Sequence, residues 1–105
     1  GEADVVRLPT AWADADDVAA LVHAAQDGDP HAFGRLVDRH HARCLRFARN
    51  LGLAPEDAEE AVQDAWVRVW QSLPRFRPEL PFEPWLFRIL GNRCRSALGR
   101  RRWWR

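Results

Sequence analysis

Apolar positions in this chain recur mainly at spacings of three and four, and the breaks between the repeats carry helix-ending chemistry. Asp14 or Asp16 is placed to cap a short helix over Val18, Leu21, Val22 and Ala25, with Gly28 as its stop. Asp29 followed by Pro30 reads as an N-cap and first helical position, since proline lacks the N–H that a helix start leaves unpaired. A long helix is expected from there to about Asn50, closing near Gly52. Its apolar stripe is Phe33, Leu36, Val37, His40, Cys44, Phe47, Ala48 and Leu51. Its outer side carries Arg35, Arg39, Arg43, Arg46 and Arg49, a row expected to be a solvated face, with phosphate or an acidic partner as the sharper alternative.

Pro55 restarts the chain, with Glu56 and Asp57 in the first turn where carboxylates suit the helix dipole. Ala58, Ala61, Val62, Ala65, Trp66, Val69, Trp70 and Leu73 form the third stripe, with Glu56, Glu60, Gln63, Asp64 and Gln71 mostly outside. The run Pro74–Pro81 contains three prolines and is excluded from helix interior. A last helix is expected from Pro81 or Phe82. Its apolar arc is Phe82, Trp85, Leu86, Ile89, Leu90, Cys94, Ala97 and Leu98. At about 100° per residue, Arg88, Asn92, Arg95, Gly99 and Arg102 fall opposite, while Arg93 falls inside the arc. No strand pattern competes. The expected fold is all-α, a compact bundle of three long helices plus a short N-terminal helix. Residues 1–13 are expected as a flexible arm, 14–102 as the domain, and 103–105 as the start of a linker or a truncated end.

Composition narrows the picture. With 105 residues the chain suits one domain, and its 47% hydrophobic and 30% charged residues suit a folded one. No apolar run approaches the ~20 residues needed to span a bilayer, and no secretory signal pattern is present. The net charge of +1 hides a strong asymmetry. Residues 1–53 carry 6 Arg against 8 acids, 54–72 carry 1 Arg against 5 acids, and 73–105 carry 9 Arg against 2 acids. All 16 basic residues are Arg.

Enzymatic chemistry finds no support. There is no Gly-rich phosphate loop, His-Glu-x-x-His or CxxC. Glu59 and Glu60 are adjacent on a helix and diverge. His40 and Cys44 lie four apart, but that fixes only two ligands, so no metal or cofactor is expected. The two cysteines, Cys44 and Cys94, are expected as small buried apolar residues. Binding remains. Phe76, Phe82 and Trp85 interleave with Arg75, Arg77 and Arg88, which gives flat faces for unstacked bases and cations for their backbone. The same aromatics could instead plug the core where two helices meet.

Three ordered motifs carry a resemblance. Asp57-Ala58-Glu59-Glu60-Ala61-Val62-Gln63-Asp64-Ala65-Trp66 is similar to the DAEDxVQExF motif of extracytoplasmic-function sigma factors. Phe76-Arg77, Phe82, Trp85-Leu86-Phe87-Arg88-Ile89 and Asn92 resemble that family's FRxxxxFxxWLxRIxxN. Gly28-Asp29-Pro30-His31-Ala32-Phe33-Gly34-Arg35-Leu36-Val37 resembles its first-helix opening. The similarity covers about residues 16–102 and matches region 2 alone, without the domain that reads the −35 element. It implies an isolated or truncated domain of a non-enzymatic transcription factor acting in the bacterial cytoplasm.

The resemblance also implies partners. The third helix would dock on the β′ clamp helices of core RNA polymerase through Glu60, Gln63 and Asp64, with Arg39 and Arg43 as weaker candidates. The loop before the last helix would capture a flipped base of the promoter −10 element, chiefly on the non-template single strand. That role falls on Arg75, Phe76, Arg77, Glu79, Leu80, Phe82 and Trp85, with Arg88, Asn92 and Arg95 on the strand backbone. An anti-sigma factor is implied as a regulator. The loop departs from the family pattern: Pro78, Glu79, Leu80 and Pro81 stand where small polar residues are common, leaving Glu79 to accept from a cytosine amino group. Helix four carries Leu90 and Ser96 where Ala and Asp are common. Trp103 and Trp104 are expected to continue the helix, meet DNA or form a sticky patch. The competing reading is a helical protein–protein adaptor, or an interaction module governed by an anti-sigma factor, without direct DNA binding.

Overall fold

The structure, a computed structural model, describes the backbone of residues 17–103 and the side chains of residues 17–100. The expected arm at 1–13 and the candidate caps Asp14 and Asp16 lie outside the described residues. Four α-helices follow in order: α1 (Val18–Gln26), α2 (Pro30–Asn50), α3 (Pro55–Ser72) and α4 (Phe82–Trp103). A short 3-10 turn, Leu73–Arg75, leads out of α3. The described residues hold no strand.

The cap of α1 is Asp17, not Asp14 or Asp16. Its carboxylate accepts from the Ala19 and Ala20 N–H groups at 2.9 and 3.4 Å. Three aspartates within four residues all satisfy the sequence rule, so only backbone geometry chooses between them. Asp29 does cap α2, accepting from His31 and Ala32, with Pro30 behind it. Gly28 and Gly52 end the first two helices with φ of +93° and +107°, a region that a Cβ disfavours. Pro55 opens α3 without a side-chain cap; Glu56 and Asp57 face the positive end of its dipole.

Helix α3 runs along α4 and α2, and α1 covers α2. The centre is filled by Leu36, Val62, Val69, Leu73, Leu86, Leu90 and Cys94, each almost wholly shielded. Fully burying a Leu side chain is worth roughly 1.5–3 kcal/mol, so this layer dominates the favourable side of folding. Two stripe assignments differ from expectation. Leu51 is 42% exposed because the chain turns away at the end of α2, and Trp70 is 43% exposed, covered chiefly by an edge contact from Phe33 at 4.8 Å. Arg93 lies half-buried at the edge of the arc. The Trp66 indole N–H is buried with no partner, a cost of packing its ring beside Phe33 and His40.

One polar residue sits inside this core. His40 is fully buried, with Nδ1 2.8 Å from the Leu36 carbonyl oxygen and Nε2 2.9 Å from Oε2 of Glu83. Arg43, one turn further along α2, donates to the same Oε2 at 3.1 Å. Its guanidinium also lies 5.5 Å above the Phe87 ring. Helix α2 is thus tied to the first turn of α4. The His40 hydrogen bond, with help from Arg43, holds the Glu83 carboxyl below its usual value of 4.5. Cys44, the next turn down from His40, is a neutral thiol pushed up to about 11 by burial, and Cys94 is raised for the same reason. Both are free and buried.

Two outcomes follow from this framework. A Cβ at Gly34 meets nothing within 4 Å, whereas Gly52 has φ +107°. Gly34→Ala is therefore expected to raise unfolding free energy by roughly 0.5–1 kcal/mol, and Gly52→Ala to lower it, in urea titrations. Because Glu83 has a depressed folded-state pKa, its contribution is present above pH 4.5 and fades as pH falls through the lower folded value. The stability gap between the wild type and Glu83→Gln should therefore be open near neutrality and close in acid. A gap as wide in strong acid as near neutrality would contradict the ion-pair account.

Candidate nucleic-acid and partner surfaces

Two prolines, Pro78 and Pro81, stiffen the segment between the 3-10 turn and α4. Its backbone closes once on itself, through the Leu80 N–H to the Arg77 carbonyl at 3.0 Å. Arg77 and Glu79 form an exposed ion pair at 2.9 Å. That pairing and a backbone hydrogen bond, the latter the larger cause, hold the Glu79 carboxyl below its usual range. Glu79 thus already has a partner within the loop, which competes with any base amino group. Leu80 stands half-exposed at the tip, and Arg75 is exposed at the loop entry.

Helix α1 anchors this loop. Gln26 Nε2 donates to the carbonyls of Leu73 and Phe76, at 3.1 and 2.7 Å, the first residue of the 3-10 turn and the residue that follows it. The Leu73 carbonyl also accepts from the Phe76 N–H at 3.0 Å, so Gln26 adds a second donor there and ties the turn to α1. The loop and α1 enclose an open cavity of about 220 Å³, lined by Val18, Ala19, Val22, Phe76, Pro78, Leu80, Pro81, Phe82 and Glu83. Its walls are apolar except at Glu83. The volume is below the usual range for drug-sized ligands.

The aromatic residues expected to frame the loop serve the core first. Phe76 and Phe82 are 8% and 5% exposed and meet edge to face at 6.1 Å. Trp85 is half-buried and lies over Phe76, with centroids 4.4 Å apart and planes 33° apart. Phe76 and Phe82 still show part of their surface to the cavity. Further along α4, Arg88, Asn92 and Arg95 are all exposed at positions i, i+4 and i+7, hence on one face. Arg95 donates through Nη2 to the Asn92 side-chain oxygen.

On α3, Glu60, Gln63 and Asp64 are exposed and share a face with Val67, which is 56% exposed. Half-exposed Trp70 borders that face. Arg39 on α2 is exposed, whereas Arg43 is committed to Glu83 and Phe87. Among the described residues no group of three His, Cys, Asp or Glu side chains could hold a metal ion, and no helix is long and apolar enough to cross a membrane. Sequence reasoning missed Gln26, His40 and Glu83 as parts of the loop's support. Their partners lie 43 to 50 residues away, where no local period can point.

Comparison with known proteins gives consistent results. The sigma-70 region 2 family model matches residues 36–104. The RNA polymerase sigma factor CnrH of Cupriavidus metallidurans is 40% identical over 89 residues, which is 85% of this chain and 46% of that protein. The extracytoplasmic-function sigma factor SigM of Mycobacterium tuberculosis is 38% identical over 82 residues, covering 78% of this chain and 42% of that one. The chain thus spans less than half the length of these relatives. Among solved structures, CnrH in complex with the cytosolic domain of CnrY superposes with TM-score 0.72 at 40% identity, over 74% of this chain and 51% of that chain. An engineered region 2 of sigmaE in complex with GTAAAA superposes with TM-score 0.75 at 30% identity, over 80% of this chain and 90% of that chain. With its helices, its loop and its motifs matched together, the chain belongs to the sigma-70 region 2 family, as the region 2 domain of an extracytoplasmic-function sigma factor.

Proposed function

We propose that this domain carries the two binding tasks of region 2. It docks on the β′ clamp helices of core RNA polymerase and holds the unpaired non-template strand of a promoter −10 element. The observation that carries the reading is the pairing of a cavity under the loop with an exposed Arg88–Asn92–Arg95 face on the helix that follows it. The complex of sigmaE region 2 with GTAAAA supports it by likeness.

The physics is a preference for one state of the promoter. Unstacking a base costs a few kcal/mol. Phosphate contacts from Arg88 and Arg95 offset part of that cost, as does shielding the base in the cavity. Asn92 holds the Arg95 guanidinium at the helix surface, ready to meet a phosphate with little further ordering. The domain breaks no bond. It binds the opened strand better than the duplex and shifts the population accordingly. Because Phe76 and Trp85 already stack on each other, the loop works as a rigid socket rather than a stacking platform that forms around the base.

The polymerase face is the exposed side of α3. Glu60, Gln63 and Asp64 offer carboxylates and an amide to a basic partner, and Val67 adds an apolar centre that gains by being covered. Trp70 extends that centre at one edge. Arg39 flanks it from α2, while Arg43 serves chiefly to hold Glu83. The acidic side chains keep promoter phosphates off this face. The CnrH complex with the cytosolic domain of CnrY supports a further partner of anti-sigma type, acting in the cytoplasm.

Reversing Arg88 and Arg95 to Glu should weaken binding of short −10-like single strands roughly tenfold or more at low salt, and flatten the salt dependence. Unchanged affinity by fluorescence anisotropy would favour a purely protein-binding module. Independently, Gln63→Ala combined with Asp64→Ala should weaken capture of a β′ clamp-helix fragment while leaving strand binding intact. Undiminished capture would reject the α3 face.

A further inference from the structure

In the otherwise apolar cavity under the loop, Glu83 is the single charged side chain. Its two carboxylate oxygens differ. Oε2 receives both the His40 Nε2 contact and the Arg43 hydrogen bond. Oε1 receives no hydrogen bond from the described residues. Glu83 lines the cavity, and its side chain is 40% exposed. A carboxylate accepts hydrogen bonds and donates none. The two cations or donors on Oε2 fix the carboxylate plane and offset its charge, which otherwise would repel a nucleic-acid backbone. From α1 the facing residues Val18 and Val22 are apolar, and the Trp66 indole N–H of α3 bonds to no acceptor, so neither element donates to the carboxylate.

We infer that Glu83 reads the base seated in the cavity: Oε1 accepts from an exocyclic amino N–H and so favours cytosine or adenine over their keto counterparts. The inference rests on the reading of the cavity as the seat of a promoter base. His40 and Arg43 are its positioning residues. They hold one oxygen so that the other stays aimed. Thymine offers a ring N–H flanked by two carbonyl oxygens, and those oxygens repel the carboxylate. Glu79 has no such arrangement, because its partner Arg77 lies beside it on an exposed turn.

The test uses short single strands in which one base at a time is exchanged between amino and keto forms, cytosine for uracil and adenine for hypoxanthine. Ring size is unchanged in each exchange. At one strand position the wild-type domain should bind the amino form roughly tenfold more tightly than the keto form, the size expected of one charge-assisted hydrogen bond. Glu83→Gln should bring that ratio close to one, because an amide can turn either its oxygen or its nitrogen to the base. Arg43→Gln should shrink the ratio without abolishing it. Helicity and thermal unfolding of each variant verify that a fold is present. Strand binding with no amino preference at any position would overturn the inference alone, as would a preference that survives Glu83→Gln. Failure of every strand to bind would overturn the reading of the cavity itself, and the inference with it.

Discussion

The contact between His40 and Glu83 is the constraint around which the functional end of this domain is organised. It crosses from the middle of α2 to the first turn of α4, with the imidazole end inside the core. Burying an imidazole is costly unless its nitrogens find partners. Here both ring nitrogens face oxygens, so a ring carrying two protons donates on both sides and a neutral ring satisfies only one. The start of α4 therefore cannot slide along α2 without leaving a buried polar group unpaired. Phe82, Trp85 and Phe76 are set by that fixed start, and the loop hangs between them and α1.

Two kinds of surface result from one bundle because charge is segregated along the chain. The third helix spends its outer face on carboxylates and exposed Val67, while the fourth presents arginines from its second turn onward. Neither face contributes much to folding, since surface ion pairs are worth little. Both are free to serve partners. The core is correspondingly simple: aliphatic residues, two neutral thiols and an aromatic cluster around His40. In the arginine row on α2, Arg43 is turned to Glu83 and Phe87.

Much of this was legible in the residues. Asp29-Pro30, Gly52 and Pro55 place the helix boundaries because capping and proline chemistry act within a few residues. The stripes of α2 and α3 predict the core through Leu36, Cys44, Val62 and Val69, since helical period and burial are two statements of one geometry. Leu51 and Trp70 escaped it because the period says which side a residue lies on but not where the neighbouring helix stops. The loop was harder. Its prolines announce an irregular segment, yet they do not say that Gln26 will brace its carbonyls from α1. Nor does the sequence reveal that Glu83 faces a buried histidine.

The Gln26 side chain also bears on what counts as the smallest working unit. The family pattern matches from residue 36 onward, beginning inside α2. Yet the amide that closes the Leu73 and Phe76 carbonyls, and the valines that wall the cavity, belong to a helix that ends ten residues earlier. A fragment trimmed to the recognisable motifs would retain every signature and lose one wall of its own socket. In this domain, the boundary drawn by resemblance and the boundary drawn by mechanics are different lines.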